Sequence, residues 1–332
     1  MKRTRKIVSV ILILSIFLLS ASLSGCSDKK TYTINFYTEG KLFHTYTVTE
    51  GSLISEIDAP DTETKHFKYW TYEDGTPYDF GFWTSPGVTS DVNLYAYYEF
   101  DSTLATNSIK NSHLSPHLKV NNNTNFKDKF LWFEFDSSIV THGSGVIYDY
   151  KDGYYYALTN AHVILATEKI AEQAVDLDFF NISVVDYQDE EISADVLFYR
   201  VGYDLAIIRF KSSKSYEIIK LADTDPKIGD NCIAVGNPLA SRNKITVGNG
   251  ESYENIELTD SKLISNVTFN VFKHSANVKG GSSGGALLNE DLELIGINYA
   301  GNILFVVFPI DSFALPISSV KEFISLYVPA QN

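Results

Sequence analysis

The sequence has little sulphur: its 332 residues include two cysteines and one methionine. Cys26 directly follows the N-terminal leader described below, which leaves Cys232 without a partner for an internal disulfide. Cys232 lies in the apolar run NCIAVG, and we expect it to be a small buried side chain. A fold held together by disulfides is therefore excluded. The scarcity of methionine, with modest alanine and leucine content, argues against a helical bundle.

Positive charge is also scarce, with 27 lysines and arginines against 41 aspartates and glutamates and a formal net charge of −14. A surface this acidic repels nucleic acid and anionic lipid, so we expect no nucleic-acid partner. The chain has no HExxH motif and no clustered ligands, and its residues predict neither a metal nor a cofactor. Aromatic residues are abundant, at 21 tyrosines and 21 phenylalanines, which favours a folded, strand-rich protein.

The first 25 residues have the pattern of a secretory signal. Basic residues precede the apolar run IVSVILILSIFLL, and small residues then lead to Leu23-Ser24-Gly25-Cys26. This ending resembles the lipobox of bacterial lipoproteins, which implies cleavage before Cys26 and diacylation of that cysteine. Such a protein is extracytoplasmic, with acyl chains that hold it on the outer face of the bacterial cell membrane. A plain signal peptide or a signal anchor is the alternative.

Residues 31–100 form a first block of strands. TYTINFYTEG and LFHTYTVTEG alternate polar and apolar residues and end in Glu-Gly, which predicts a hairpin, and HFKYWTYEDGTPYDF and VTSDVNLYAYYEF predict two further strands. With GSLI between them, this pattern resembles the internalin B-repeat (Listeria–Bacteroides repeat). The resemblance implies a small β-grasp-like module that serves as a spacer or binds a surface ligand. Tyr97-Tyr98 stands where that family has Lys-Trp.

Residues 101–128, DSTLATNSIKNSHLSPHLKVNNNTNFKD, are rich in serine, threonine and asparagine and predict a polar linker. From 129 to 332 the chain consists of short β-branched or aromatic runs separated by turn residues. Helical patterns occur only at 164–176 and in the closing ISSVKEFISLYV. Many short strands with few helices predict an all-β barrel or sandwich.

The run KGGSSGGALLN at 279–289 has two interpretations, a soft linker or a tight turn around a reactive serine. A reactive serine needs a base to take its proton, a carboxylate to orient that base, and backbone amides to stabilise the oxyanion. Gly281, Gly284 and Gly285 permit positive φ and the close approach of a substrate carbonyl. The amides of Gly281 and Ser283 are therefore candidate oxyanion donors.

One histidine and one aspartate fit the partners that such a serine needs. His162 lies in LTNAHV, where an apolar strand ends and a possible helix begins. Asp204, in GYDLAIIRF, directly precedes an apolar strand, where an acid is unusual unless something pairs with it. We interpret His142 and His274 as loop residues without a catalytic role.

Three motifs follow one another along the chain: Thr159-Asn160-Ala161-His162, Asp204-Leu205-Ala206 and Gly281-Ser282-Ser283-Gly284-Gly285. With these motifs in this order, the block from 129 to 332 resembles the trypsin-like serine proteases, and most closely their HtrA/Deg branch. The resemblance implies a chymotrypsin-like double β-barrel and a serine endopeptidase that cleaves polypeptides through an acyl-enzyme, without a cofactor. It assigns Ser283 as nucleophile, His162 as general acid–base and Asp204 as the group that orients His162, with the amides of Gly281 and Ser283 as the oxyanion hole.

The resemblance also places the wall of the substrate pocket at Asn277, Val278, Ile297 and Asn298, where the lack of an acid favours a small or aliphatic substrate side chain. Because the 332 residues hold no PDZ domain of the kind that regulates many members, we expect no peptide-triggered control through one. The alternative function is a surface binding or adhesion lipoprotein whose protease-like domain is latent.

Overall fold

A computed structural model of the chain describes residues 29–81, 85–130, 132–165, 180–238, 242–256, 267–301 and 311–327. The predicted signal segment and Cys26 therefore lie outside the described residues, as does most of the predicted helix at 164–176. Within the described part of the chain, no helix has both the length and the apolar character needed to span a membrane.

The described residues form sixteen strands and three helices. The strands are β1 Thr31–Thr38, β2 Lys41–Thr49, β3 Lys65–Thr71, β4 Val92–Phe100, β5 His117–Phe130, β6 Phe133–Lys151, β7 Tyr154–Thr159, β8 Ile182–Val185, β9 Glu191–Arg200, β10 Leu205–Phe210, β11 Asn231–Gly236, β12 Lys244–Glu254, β13 Val271–His274, β14 Ala286–Leu288, β15 Leu294–Gly301 and β16 Ser312–Pro316. The helices are α1 Ser102–Ser112, α2 Ala161–Leu165 and α3 Ile317–Leu326, the last at the predicted closing helix.

The chain divides into two compact units, the first made of Met1–Ile57 and Trp70–Ala96. In this unit β1 pairs antiparallel with β2, which confirms the predicted hairpin, and parallel with β4. The indole of Trp70 is fully buried, its Nε1 donates to the Ile57 carbonyl at 2.6 Å, and its ring packs on Phe36 at 4.7 Å. Trp70 is thus a core residue of this unit.

The second unit, made of Asp58–Tyr69 and Tyr97–Asn332, contains two closed six-stranded barrels. The N-terminal barrel has the strand order β10-β7-β6-β5-β8-β9, and the C-terminal barrel has the order β11-β12-β13-β16-β15-β14. The predicted all-β fold with a chymotrypsin-like double barrel is confirmed.

The strands of the barrels have near-continuous apolar sequences because their side chains pack into apolar clusters on both faces of the strand. In β10, Ile207 joins a cluster built from both barrels, while its neighbour Ile208 joins the interior of the N-terminal barrel. In β11, Ile233 belongs to the shared cluster and Cys232 to the interior of the C-terminal barrel. Cys232 is fully buried, as expected, and burial raises the pKa of its thiol to about 12.

The predicted linker at 101–128 is wrong, because this segment forms α1 and most of β5. Asp101 caps α1 by accepting hydrogen bonds from the Thr103 and Leu104 amides at 2.7 and 2.8 Å. Ala105 and Ile109, four positions apart on one face, are fully buried in the cluster that both barrels share. The polar composition concealed a short amphipathic helix.

The asparagine-rich part of β5 is also part of the N-terminal barrel. Leu118 and Val120 are fully buried, and so are the next inward positions, Asn122 and Thr124. The Asn122 Nδ2 donates to the Ile164 carbonyl of α2 at 2.7 Å, so its burial leaves no unpaired amide group. Polar residues at inward positions made this strand look like a loop.

Candidate active site

His162 lies in the first turn of α2, directly after the end of β7. The Asn122 amide group of β5 fixes the far end of this helix, as described above, and the Thr141 Oγ1 of β6 donates to the Val163 carbonyl at 3.0 Å. Only 15% of the His162 side chain is exposed. Two strands of the N-terminal barrel therefore hold the short helix that carries this imidazole.

Asp204 lies in the turn before β10 and is fully buried. Its Oδ2 is 2.6 Å from the His162 Nδ1, and its Oδ1 accepts the His162 backbone N–H at 2.9 Å. Its φ of 49° is in the left-handed region, which aspartate tolerates better than most residues. The Asp204 carbonyl accepts from the Asn160 Nδ2 at 2.9 Å and from the Ala161 N–H at 3.1 Å. The predicted His–Asp partners are thus joined by side chain and backbone.

Burial raises the pKa of Asp204, and the positive charge and hydrogen bonds of His162 oppose that rise. With its carboxylate bound to the Nδ1 side of His162, the imidazole carries a proton on Nδ1 and leaves Nε2 as the basic nitrogen. The pair is arranged as a general base requires.

Ser283 lies in the turn between β13 and β14, and its carbonyl accepts the Ser144 N–H from β6 at 2.7 Å. Its Oγ is 3.4 Å from the Tyr299 carbonyl, at the long end of hydrogen bonding. The Tyr299 ring centroid lies 6.5 Å from that of His162. Tyr299 therefore contacts both the serine and the histidine sides of the site, and in this structure the serine hydroxyl points to its carbonyl.

The glycines of the serine turn are sterically required. A Cβ on Gly284 would lie 2.1 Å from the Ser144 carbonyl oxygen, and one on Gly285 would lie 2.3 Å from that of Val235. Gly281 and Gly284 have φ values of 95° and 85°. The run at 279–289 is thus a tight turn, and side chains would push it away from both barrels.

The two amides predicted to form the oxyanion hole are free in the described part of the structure, where neither the Gly281 nor the Ser283 N–H has a hydrogen-bond partner. The other amides of the turn are bonded: the Ser282 N–H to the Lys279 carbonyl at 2.8 Å and the Gly284 N–H to the Asn298 carbonyl at 2.8 Å. The turn leaves unpaired the two donors that an oxyanion would need.

The four predicted pocket residues have different environments. Ile297 is fully buried in the cluster shared by the barrels, so it serves as a core residue and its place in the pocket wall is wrong. Asn298 is 1% exposed and spans the turn, with its Nδ2 donating to the Ala286 carbonyl at 2.9 Å. Val278 is 5% exposed, while Asn277 is exposed at the surface.

His142 and His274 lie in strands, so their interpretation as loop residues is wrong. His142 is half-buried in β6, and His274 is 1% exposed in β13. Burial lowers the pKa of His274 to about 4, so this histidine is neutral at ordinary pH.

Comparisons with known proteins agree with this geometry. Residues 143–297 match the trypsin-like peptidase domain family. Over this range the chain is similar to trypsin-like peptidases. The matched range begins at the Gly-Ser-Gly of β6 and includes His162, Asp204 and Ser283.

Proteins similar to this chain include periplasmic serine endoprotease DegP of Salmonella typhimurium, 34% identical over 56% of this chain and 35% of that protein. The periplasmic pH-dependent serine endoprotease DegQ of Escherichia coli is 34% identical over 48% of this chain and 31% of that protein. A solved serine endoprotease from Yersinia pestis is 25% identical, with a TM-score of 0.45, and covers 64% of this chain and 62% of that one. The chain thus spans about a third of the length of the curated relatives it matches.

Proposed function

We propose that this chain is an extracytoplasmic serine endopeptidase that hydrolyses polypeptides through an acyl-enzyme, with no cofactor. The observation that carries the proposal is the His162–Asp204 pair, joined at 2.6 Å around a fully buried carboxylate. Burial of a carboxylate costs free energy, and such buried ionisable groups occur most often at functional sites. Here the acid–imidazole pair belongs to the same unit as a serine turn whose Gly281 and Ser283 amides have no partner among the described residues. The named activities of the periplasmic relatives support the same reaction class.

In the proposed reaction, the His162 Nε2 accepts the proton of the Ser283 hydroxyl as the Oγ attacks the substrate carbonyl carbon. The oxygen that becomes negative binds the amides of Gly281 and Ser283. Asp204 stabilises the imidazolium, which then gives its proton to the leaving amine, and an acyl-enzyme remains on Ser283. Water, deprotonated by His162, attacks this ester and releases the second product and free Ser283.

This sequence of steps requires the Ser283 hydroxyl to turn from the Tyr299 carbonyl towards His162. The 3.4 Å contact to that carbonyl is weak, and rotation about one side-chain bond breaks it. The same contact favours a second candidate function, a surface binding lipoprotein in which the protease-like domain is latent and residues 31–100 bind the ligand.

Labelling by a fluorophosphonate probe separates the two candidates. We expect the purified protein, but not its Ser283→Ala variant, to bind the probe covalently and to cleave casein. Absence of both reactions in the unaltered protein would leave the binding lipoprotein as the better account. Because Ser283→Ala removes only a hydroxyl at a half-buried position, the variant should fold normally and serve as a valid control.

For the substrate pocket we propose a preference for a small or aliphatic side chain before the cut bond, since Val278 and Asn298 beside the turn carry no charge. A library of peptides that differ at this one position tests the preference. Faster cleavage after arginine or lysine than after valine or alanine would contradict it.

We also propose that Cys26 carries acyl chains that hold the protein at the membrane, on the basis of the Leu-Ser-Gly-Cys sequence. In a bacterial host, labelled palmitate should enter the protein and the protein should partition into detergent. Both properties should be lost in Cys26→Ser, while fluorophosphonate labelling of that variant should persist. Labelling of Cys26→Ser by palmitate would place the acyl chain elsewhere.

A further inference from the structure

Ser144 of β6 has hydrogen bonds at each of its polar groups, although it lies outside the three catalytic motifs. Its backbone N–H donates to the Ser283 carbonyl at 2.7 Å, and its hydroxyl donates to the Gly281 carbonyl at 2.8 Å. The same hydroxyl accepts the Asn237 N–H at 2.7 Å, and the Ser144 carbonyl accepts the Thr159 Oγ1 at 2.7 Å. The residue is fully buried.

Two of these bonds reach from the N-terminal barrel to peptide units in the serine turn. The Gly281 carbonyl and the Ser282 N–H belong to one planar unit, which lies between the two free amides of Gly281 and Ser283. Ser144 holds the carbonyl end of this unit, and the Lys279 carbonyl holds its N–H end at 2.8 Å. The orientation of this unit sets the angle between the two free N–H groups.

The next bonded unit is fixed in the same manner. The Ser283 carbonyl binds the Ser144 N–H, and the Gly284 N–H in the same plane binds the Asn298 carbonyl at 2.8 Å. Ser144 therefore holds two carbonyl groups, one on each side of the Ser283 N–H. A single residue of the N-terminal barrel thus keeps both carbonyl oxygens turned away from the point where the amides would bind an anion.

We propose that Ser144 is a positioning residue for the oxyanion site, acting through its hydroxyl on the Gly281–Ser282 peptide unit. When the hydroxyl is removed, the carbonyl of this unit loses its partner and the buried Asn237 N–H loses its acceptor. The unit can then rotate, and the two amides no longer converge in a fixed geometry. The effect on catalysis rests on the proposed endopeptidase function, whereas the effect on the turn does not.

Amide hydrogen exchange of Ser282, measured by NMR on the full chain, tests the effect on the turn. In Ser144→Ala we expect this amide to exchange about tenfold faster, since loss of one hydrogen bond frees the peptide unit that carries it. Thr64→Val is the matched control, because the Thr64 Oγ1 is also a buried hydroxyl that donates to a backbone carbonyl, that of Glu290, at 2.6 Å. In that variant the Ser282 amide should exchange at the unaltered rate.

The rate of fluorophosphonate labelling tests the effect on catalysis. We expect Ser144→Ala to slow labelling by about 10- to 100-fold, less than the 10²–10³ expected on removal of an oxyanion donor itself. The KM for a peptide substrate should change by less than about threefold, because the oxyanion forms only after substrate binding. Ser144→Cys keeps the shape of the side chain and replaces the hydroxyl with a weaker donor. Its labelling rate should fall between those of the unaltered protein and Ser144→Ala.

The outcomes distinguish this proposal from the proposed function. If the unaltered protein is not labelled, the endopeptidase proposal fails, while the exchange of Ser282 still decides whether Ser144 holds the turn. If Ser144→Ala matches Thr64→Val in both Ser282 exchange and labelling rate, Ser144 has no positioning role. Equal losses of labelling in both variants, in step with their melting temperatures, would also overturn the proposal, because they would reflect general stability.

Discussion

The two barrels contribute to the candidate site by different physical means. The N-terminal barrel supplies side chains, His162 and Asp204, held by hydrogen bonds from buried polar groups. The C-terminal barrel supplies one side chain, Ser283, and the backbone around it, a turn whose shape depends on glycines packed against neighbouring carbonyls. Apart from Ser283 itself, substitutions should therefore act differently in the two halves: through lost side-chain chemistry in the first, and through steric conflict in the second.

The largest effect is expected from Gly284→Ala in the C-terminal barrel. The new Cβ would lie 2.1 Å from the Ser144 carbonyl oxygen, at a φ of 85°. We expect a loss of about 2–5 kcal/mol in the free energy of unfolding, from overpacking and the left-handed conformation together, and no fluorophosphonate labelling. Urea denaturation and labelling measure the two effects.

Gly153→Ala is the control for Gly284→Ala. Gly153 has a φ of 80° but open space around its Cβ position, so it should lose only about 1–2 kcal/mol and keep its labelling. Equal losses in the two variants would mean that contact with the N-terminal barrel does not define the serine turn.

Asp204→Asn should have the next largest effect, with a different signature. The amide group keeps the size of the carboxyl, but it has one acceptor oxygen for the two His162 N–H groups and no charge to stabilise the imidazolium, so kcat should fall by about 10⁴ with little change in the melting temperature. Asp195→Asn, at an exposed acid of the same barrel that pairs with Arg209, should leave kcat unchanged. A loss below tenfold in Asp204→Asn would show that His162 does not act as the base.

A smaller effect concerns His274 of the C-terminal barrel and pH. Its folded-state pKa of about 4 lies below the ordinary 6.5, so the unfolded chain binds the proton more readily. The His274 contribution to the free energy of unfolding is therefore complete above pH 6.5 and is lost as the pH falls towards 4. The total loss is about 3 kcal/mol. Denaturation at a series of pH values should show that His274→Gln reduces the loss of stability between pH 7 and 4. An unchanged pH dependence would refute burial of a neutral imidazole there.

The smallest effect is expected at Asn122, which fixes α2 from β5. Asn122→Ala should lower the free energy of unfolding by about 1–3 kcal/mol and kcat by about tenfold, because the helix that carries His162 loses a hydrogen bond to its Ile164 carbonyl. Asn121→Ala, whose side chain donates to Glu191 on the outer surface, should change neither. Normal kcat in Asn122→Ala would place the support of His162 elsewhere.

The parts of the fold and site that could be predicted from the sequence depend on local chemistry. Strands with apolar runs on both faces, such as β10 and β11, and glycines at forced contacts, such as Gly284, are visible in a short window. The pairing of His162 with Asp204 was predicted from the order of the motifs, and in the structure the His162 Nδ1 lies 2.6 Å from the Asp204 Oδ2.

Other features depend on contacts between distant segments and were missed for that reason. β5 looked like a loop because Asn122 and Thr124 are polar. Their burial is explained by distant partners: the Asn122 amide group donates to a carbonyl of α2, and the Thr124 hydroxyl accepts the Asn181 N–H. Ile297 was placed in the pocket wall, but the packing of the two barrels places it in their shared core. Ser144 could not be singled out from the sequence, since its partners at 281 and 283 are more than 130 residues away.

The inclusion of β5 in the first barrel determines where the protein can be cut. A fragment that begins at residue 129 would lack most of the strand that pairs with both β6 and β8. Those two strands would then expose unpaired backbone along open edges, which favours aggregation through intermolecular strand pairing. A fragment that is to fold with both barrels intact must therefore begin well before the predicted domain start, with α1 and the residues from 58 onwards included.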